Sequence, residues 1–457
     1  MMFGRRGAVV VALGLAALGA AGPARLALAQ STGADGELGL VEAVERALGQ
    51  YPTLGAAAAV ADAARARHAQ AKADWWPLVG LSGSITRYSD PMVVSPIHGF
   101  DPGVAPEFDE SLIQGGAFAT WTLFDGGGRG ARIGLTRWEA SAAEVEVDGA
   151  AQALIADVSA SYLETLSRAA VLAAHDRRIA ALETERDRVE RLREVGRAAE
   201  IEILRVEAVM ASATADRIGV AADLDVARRE LARLVGAAPS EPGERGLVPV
   251  QLARGERPDR EAVRASAVTS SPAVEGARRR RESAEAGRSL ARSERWPELQ
   301  AFGNWIDYGG LDSDHRLEWA AGLRVSVPLF TGGRVGREVE RADADARGAV
   351  ERLRLAVTET ERAVDRAVSA VEETEARVRS LETAAARAAE VARIEVLRLE
   401  AGAGTQTDYL DAEASRLAAE AALAETRHAA IQARVELARI VGRLGPEWLE
   451  ENLEMAP

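Results

Sequence analysis

Two carboxylates three residues apart, Asp408 and Asp411 in "GAGTQTDYLDAEA", are the sharpest chemical spacing in this 457-residue chain. Residues i and i+3 share one face of a helix, so the pair can present a double negative charge to cations. Thr405 and Asp408 also fit a Thr-x-x-acid capping box, in which Asp408 serves the first turn of its own helix. A matching stretch 206 residues earlier, "GRAAEIEILRVEA", carries Glu202 and Arg205 at the equivalent places, so the second acid is replaced by a cation.

Other chemistry is sparse. His68, His98, His175, His315 and His428 are scattered without ligand spacing, and the many Glu residues read as solvated helix faces, so no metal site is expected. "FDGGGRG" lacks the Lys-Ser/Thr of a phosphate-binding loop and the spacing of a dinucleotide fingerprint. With no cysteine, the chain has neither disulfides nor thiolate catalysis nor a lipid carried on Cys. The sequence is therefore read as a non-enzyme without cofactor. Its acidic balance argues against a nucleic-acid partner.

Arg5 and Arg6 precede an apolar run from Ala8 to Ala21, and "ALA" ending at Ala29 offers a small-x-small cleavage site. Residues 1–29 are read as a secretory signal. An uncleaved anchor is the alternative, disfavoured because the run falls short of the ~20 residues of a spanning helix. Losing this segment removes three Arg and no acid, which takes the formal charge from −14 to −17.

The remainder is written twice. Pro77 and Pro297, each ending a Trp-Pro, lie 220 apart, as do "YPTL" from Tyr51 and "SPAV" from Ser271. Phe124 and Phe330, Gly196 and Gly402, and "LARLVG" and "LARIVG" lie 206 apart, so the first copy carries 14 extra residues near position 100. The segment that holds them, "DPMVVSPIHGFDPGVAPEFDE", reads as an enlarged loop. The expected domains are a first repeat over 30–246 with strands at about 78–124, a second over 247–445 with strands at about 298–330, and a tail at 446–457.

Each copy predicts the same elements. A helix of some 20 residues ends at Trp-Pro, and two β-like runs follow. The last run alternates cleanly, with Trp319, Ala321, Leu323, Val325 and Val327 on one face. "WTLFDGGGRG" and "VPLFTGGRVG" then turn strand into helix at Gly126, Gly127, Gly332 and Gly333. The helices that follow, about 131–194 and 337–400, would each reach roughly 96 Å. Val350, Val357, Val364, Val371 and Val378 recur every seven residues, as a coiled-coil seam requires. Return helices then run to "LVG". Return helix and pre-strand helix together match the long helix in length and can lie end to end beside it. Four strands cannot close a membrane barrel, so further copies must supply the rest. Trp75, Trp76, Trp121, Trp296, Trp305 and Trp319 lie in or beside the strands, where interfacial girdles belong.

This ordered set, from about Leu40 to Gly442, resembles the TolC-type outer-membrane efflux protein family. The resemblance implies a mainly α fold with a membrane β-barrel: a homotrimer whose twelve strands form one barrel in the outer-membrane lipid, above an α-helical coiled-coil tunnel in the periplasm. It implies a passive exit duct in a tripartite efflux or type I secretion system, served by an inner-membrane pump and a periplasmic membrane-fusion adaptor. The adaptor would dock at hairpin tips around Gly196, Arg197, Gly402 and Gly404. Asp408 and Asp411, matching the family's "DVLDA" pattern, would form carboxylate rings at a periplasmic entrance constriction with Glu202 and Arg205. Where some members close the mouth with an acid–Arg latch, Glu202 matches the acid but Gly404 stands at the Arg position. A periplasmic coiled-coil spacer or adaptor without a channel is the alternative reading, and a lipoyl-type hairpin fits the duplication poorly.

Overall fold

A computed structural model describes residues 36–98, 103, 105–238, 245–253 and 257–455; the expected signal segment lies outside them. The first repeat contains α1 (Leu40–Gln50), α2 (Pro52–Ala73), β1 (Leu78–Val93), β2 (Phe108–Phe124), α3 (Gly128–Glu194) and α4 (Glu200–Val235). After β3 (Val250–Leu252) the second repeats the order with α5 (Arg260–Ser270), α6 (Pro272–Ser293), β4 (Glu298–Gly310), β5 (Arg316–Ser326), α7 (Arg334–Glu400) and α8 (Gln406–Val441). The chain closes with α9 (Pro446–Asn452) and β6 (Leu453–Met455).

Local chemistry sets these boundaries. Pro52 and Pro272 occupy the first helical position, where a missing N–H costs nothing, and Trp-Pro ends both helices. The long helices are 67 residues each, close to 100 Å at 1.5 Å per residue. β5 stops at Ser326 because Pro328 has no N–H for a ladder, and Leu329 and Phe330 beyond it are splayed into the open.

All four long strands form one antiparallel sheet in the order β1-β2-β4-β5, leaving β1 and β5 as free edges. Paired residues share a face, so the register places Trp305 with Trp319 and Ala117, and Ala117 with Leu81, on one side. On that side Val79, Leu81, Ile85, Trp305, Trp319, Leu323 and Val325 are 56 to 78 % exposed, an apolar surface far beyond isolated exposed side chains.

The helices pack unequally. α3 lies along α2, α4, α6 and α8, whereas α7 packs on α5, α6 and α8 of its own repeat. The end of α4 abuts the start of α2, where Gln50 Nε2 donates to the Val235 carbonyl at 2.5 Å, and Ser270 Oγ bridges the end of α8 to the start of α6. Each such pair runs as one broken helix beside a long one. The largest core lies where Leu40, Val44, Val158, Leu231, Val235, Ile431 and Val435 meet. Among the described residues of the expected tail, Leu449 enters this core and β6 pairs with β3. Tyr162 is fully buried there, with its hydroxyl proton shared between the carbonyls of Leu38 at 2.7 Å and Val248 at 2.8 Å.

Candidate functional site: hairpin tips and strand–helix junctions

The first junction is built by Asp125. Its carboxylate accepts from Gly127 N at 3.2 Å and Arg129 N at 2.6 Å, which satisfies the open first turn of α3. Gly126 and Gly127 turn there with φ of +66° and +89°, values an L side chain rarely adopts. Arg129, itself buried, pairs with Asp125 and stacks 4.4 Å from the ring of Trp75, whose carbonyl accepts from Trp121 Nε1 at 2.9 Å. Gly126 also presses on the other repeat: a Cβ there would come within 2.5 Å of Trp296 Cβ and 2.9 Å of the Ser293 carbonyl. The second junction turns the same way, with φ of +59° and +83° at Gly332 and Gly333, but a Cβ at Gly332 would meet no atom within 4 Å. Its counterpart of Trp296 by the 220-residue offset is Trp76, which stands exposed.

At the far ends of the long helices, Gly196 and Gly402 close both tips in the left-handed conformation. Arg197 N returns to the Leu192 carbonyl at 2.7 Å, and Ala403 N to the Arg398 carbonyl at 2.8 Å. Arg197 is exposed on this turn. Gly404 sits tight, since a Cβ would meet Arg398 Cβ at 3.0 Å and backbone atoms at 3.2 Å. A side chain at 404 would have to push these atoms back by a few tenths of an ångström.

Both halves of the capping box form: Thr405 Oγ1 accepts from Asp408 N at 3.1 Å, and Asp408 accepts from Thr405 N at 3.3 Å. Asp411 is exposed beside Asp408, on the side of α8 away from the buried Tyr409 and Leu410. The two tips touch through Arg205, which donates to Thr407 Oγ1 at 3.2 Å rather than to either Asp, while Glu202 is half-buried. The structure thus brings Arg205 against Thr407, one residue before Asp408, with no ion pair to either acid among the described residues; Gly196 and Arg197 form the turn of the first tip, and the junction glycines lie at the opposite ends of the long helices.

Sequence reading missed a buried polar seam between α3 and α8. Glu185 and Glu413 are both nearly inaccessible, held by Arg188 at 2.7 Å and Arg416 at 3.2 Å. Gln406 Nε2 reaches Glu185 at 3.4 Å, and Tyr409 lies between, its hydroxyl pKa pushed up to about 12 by burial and then by Glu413 and Glu185. A signal existed: Gln406, Leu410, Glu413 and Leu417 recur at three- and four-residue steps, so a polar pair sits inside an apolar stripe.

Burial pushes the Glu413 carboxyl above its ordinary value, and Glu420 adds to this; Arg416 and Arg178 pull it down. A carboxyl with a raised folded-state pKa binds its proton more tightly in the packed state. Packing of α8 on α3 is therefore favoured at acid pH and weakened as pH rises past the free-carboxyl value and through the raised one. With the Glu413 carboxyl almost wholly enclosed in the seam, the bundle is expected to be less stable at neutral than at acid pH. Glu413→Gln should flatten that dependence in thermal melts; an unchanged pH profile would contradict it.

The family whose sequence pattern is described as outer membrane efflux protein matches residues 43–237 and 263–443. Comparison with curated proteins returns no match. Among solved structures, the chain is similar to the outer membrane protein VceC of Vibrio cholerae, with 22 % identity, TM-score 0.75, and coverage of 88 % of this chain and 96 % of that one. It is similar to the CmeC outer membrane channel of Campylobacter jejuni, with 15 % identity, TM-score 0.75 and coverage of 90 % and 88 %. The open-state MtrE outer membrane channel of Neisseria gonorrhoeae shares 20 % identity at TM-score 0.71, with 88 % of each chain covered.

Proposed function

Because the chain belongs to the outer membrane efflux protein family, we propose that three copies assemble into the outer-membrane exit duct of a tripartite efflux or type I secretion system. The protein resides in the outer membrane, with its helices in the periplasm. It acts as a passive channel for substrates delivered by an inner-membrane pump through a periplasmic adaptor.

The observation that carries this reading is a matched set of unfinished surfaces. β1 and β5 are open edges of an antiparallel sheet with an even number of strands, so β5 of one copy can pair antiparallel with β1 of the next. Among the described residues, the large exposed apolar side chains within the helices lie on α2 (Val60), α4 (Ile201, Leu204, Ile218, Val226) and α7 (Leu355, Val391, Ile394, Leu397). α3 packs between α2 and α4 of its own repeat and α6 and α8 of the other, whereas α7 has only the helices of its own repeat, so α2 and α4 of one copy complement α7 of its neighbour. Such a head-to-tail contact is heterologous and closes into a ring. Three copies give twelve strands, enough for a barrel that encloses a channel. A coiled-coil spacer would have no use for strands with a lipid-facing apolar side.

In this ring Asp411, free of the capping duty that engages Asp408, becomes a collar of three carboxylates at the entrance, with Asp408 as a second tier. The turns at Gly196, Arg197, Gly402 and Gly404 face the adaptor. Asp411→Asn is expected to lower the cation-over-anion permeability ratio by roughly twofold or more, read from reversal potentials in a salt gradient; an unchanged ratio would place the acids away from the conduction path. The assembly itself is tested by native mass measurement of detergent-extracted protein: three chains are expected, and a monomer or dimer would remove the ring.

A further inference from the structure

The strand register sorts the sheet into an apolar face, which in a barrel must meet lipid, and an opposite face that lines the interior. Phe302 lies opposite Gly322 and Thr120, and Phe118 opposite Gly80 and Asn304; all belong to the interior face, since they alternate with Trp305, Ala117 and Leu81. Each hairpin therefore carries one interior aromatic ring set over a glycine. A Cβ on Gly80 would come within 2.5 Å of Phe118 Cζ, and one on Gly322 within 2.9 Å of Phe302 Cζ, so the glycines let the rings lie against the strands. Phe118 and the Thr120 that faces Phe302 are two residues apart on β2, which sets the two rings about 7 Å apart along the strands.

Arg324 is the next interior residue along β5 from Gly322, and its guanidinium lies 5.3 Å from the centre of the Phe302 ring. It is exposed and makes no ion pair among the described residues. Of the interior carboxylates near it by register, Glu318 is occupied by His98 at 2.8 Å, and Glu298, one interior step below Gln300, makes no ion pair with it. An unpaired planar cation thus stands on an aromatic platform inside the barrel of a strongly acidic protein. A guanidinium offers a fork for a carboxylate or sulfonate, and the ring faces offer stacking surface.

Resting on the duct reading, we propose that Phe302 and Arg324, with Phe118 beside them, form an interior binding station for flat aromatic solutes that carry a carboxylate or sulfonate. Repeated threefold, it supplies three cationic stacking positions on the barrel wall, each weak enough for cargo to leave again. The station and the acidic collar carry opposite charge at opposite ends of the duct, so an anion presented from the barrel side reaches the station without passing the collar.

The test uses the purified full-length protein in planar bilayers with 2-naphthoate added on the barrel side. Wild-type current should fall with naphthoate concentration, and Arg324→Gln should raise the half-blocking concentration about tenfold or more, a factor set by losing one charge-assisted pair. Phe302→Leu should weaken block while leaving Arg324 in place. 2-Naphthylmethylammonium, which lacks the anion, and cyclohexanecarboxylate, which lacks the ring, should block poorly. The open-channel conductance of each variant reports that the barrel has formed. Equal block of wild type and Arg324→Gln, or no block of a conducting wild-type channel, would overturn the station and leave the duct standing. Absence of any conductance would overturn the duct reading and the station with it.

Discussion

Deleting Gly115–Phe124 should leave a helical chain that neither trimerises nor enters the outer membrane. β2 is paired along its length with β1 on one side and β4 on the other, so its loss separates the two hairpins rather than trimming an edge. The remaining strands would expose unpaired N–H and C=O groups to lipid, at several kcal/mol each, and no barrel could close around that gap. The helices do not depend on the segment: α3 begins at Gly128, and its core with α4 and α8 lies far along the bundle. Far-UV circular dichroism should therefore stay strongly helical while native mass falls from three chains to one and the protein leaves the detergent-requiring fraction. A deletion variant that remains trimeric in the membrane would mean that the sheet is not a barrel segment.

The two Gly-Gly junctions make the second large prediction. Gly126→Ala must adopt a left-handed φ and also collide with Trp296 and the Ser293 carbonyl inside the same chain. Conformational strain of about 1–2 kcal/mol adds to overpacking of roughly 1–3 kcal/mol, so the folded chain itself should be lost or strongly destabilised. Gly332→Ala bears only the first of these in a single chain, because its surroundings are open. In the ring, the repeat offset puts the neighbour's Trp76 where Trp296 sits on Gly126. Gly332→Ala should accordingly give a chain of near-normal helicity that assembles poorly, seen as a monomer peak in size exclusion. Trimer yields equal to wild type would show that Trp76 does not seat there.

Much of this architecture is legible because the chain repeats itself. Offsets of 220 and 206 place the extra residues of the first copy between the middles of β1 and β2, although the segment expected to be loop begins and ends in strand, at residues 90–93 and 108–110, and residues 99–102 and 104 lie outside the described residues; Trp-Pro, Gly-Gly and the closing glycines mark boundaries through backbone chemistry that needs no tertiary context. The capping role of Asp408 is likewise local, and both of its hydrogen bonds form. What escaped depends on contacts between repeats. Glu185 and Glu413 look like any solvated helix acids until α3 and α8 are brought together, and nothing near Arg129 in sequence announces Trp75 as its stacking partner. Arg205 looks by spacing like a partner for Asp408 or Asp411, yet its side chain settles on Thr407, a choice made by how the two tips dock. α9 and β6 are too short to be stable alone and exist because Leu449 is buried and β3 is free to pair. The tightness around Gly404 is a property of the folded turn, invisible in composition.

The most direct measurement is single-channel recording of the purified trimer in planar lipid bilayers. A ring of this chain should insert and give discrete, long-lived conductance steps whose cation preference falls with Asp411→Asn. Trimeric protein that inserts into the bilayer and passes no current would contradict an open path from the helical tips through the barrel.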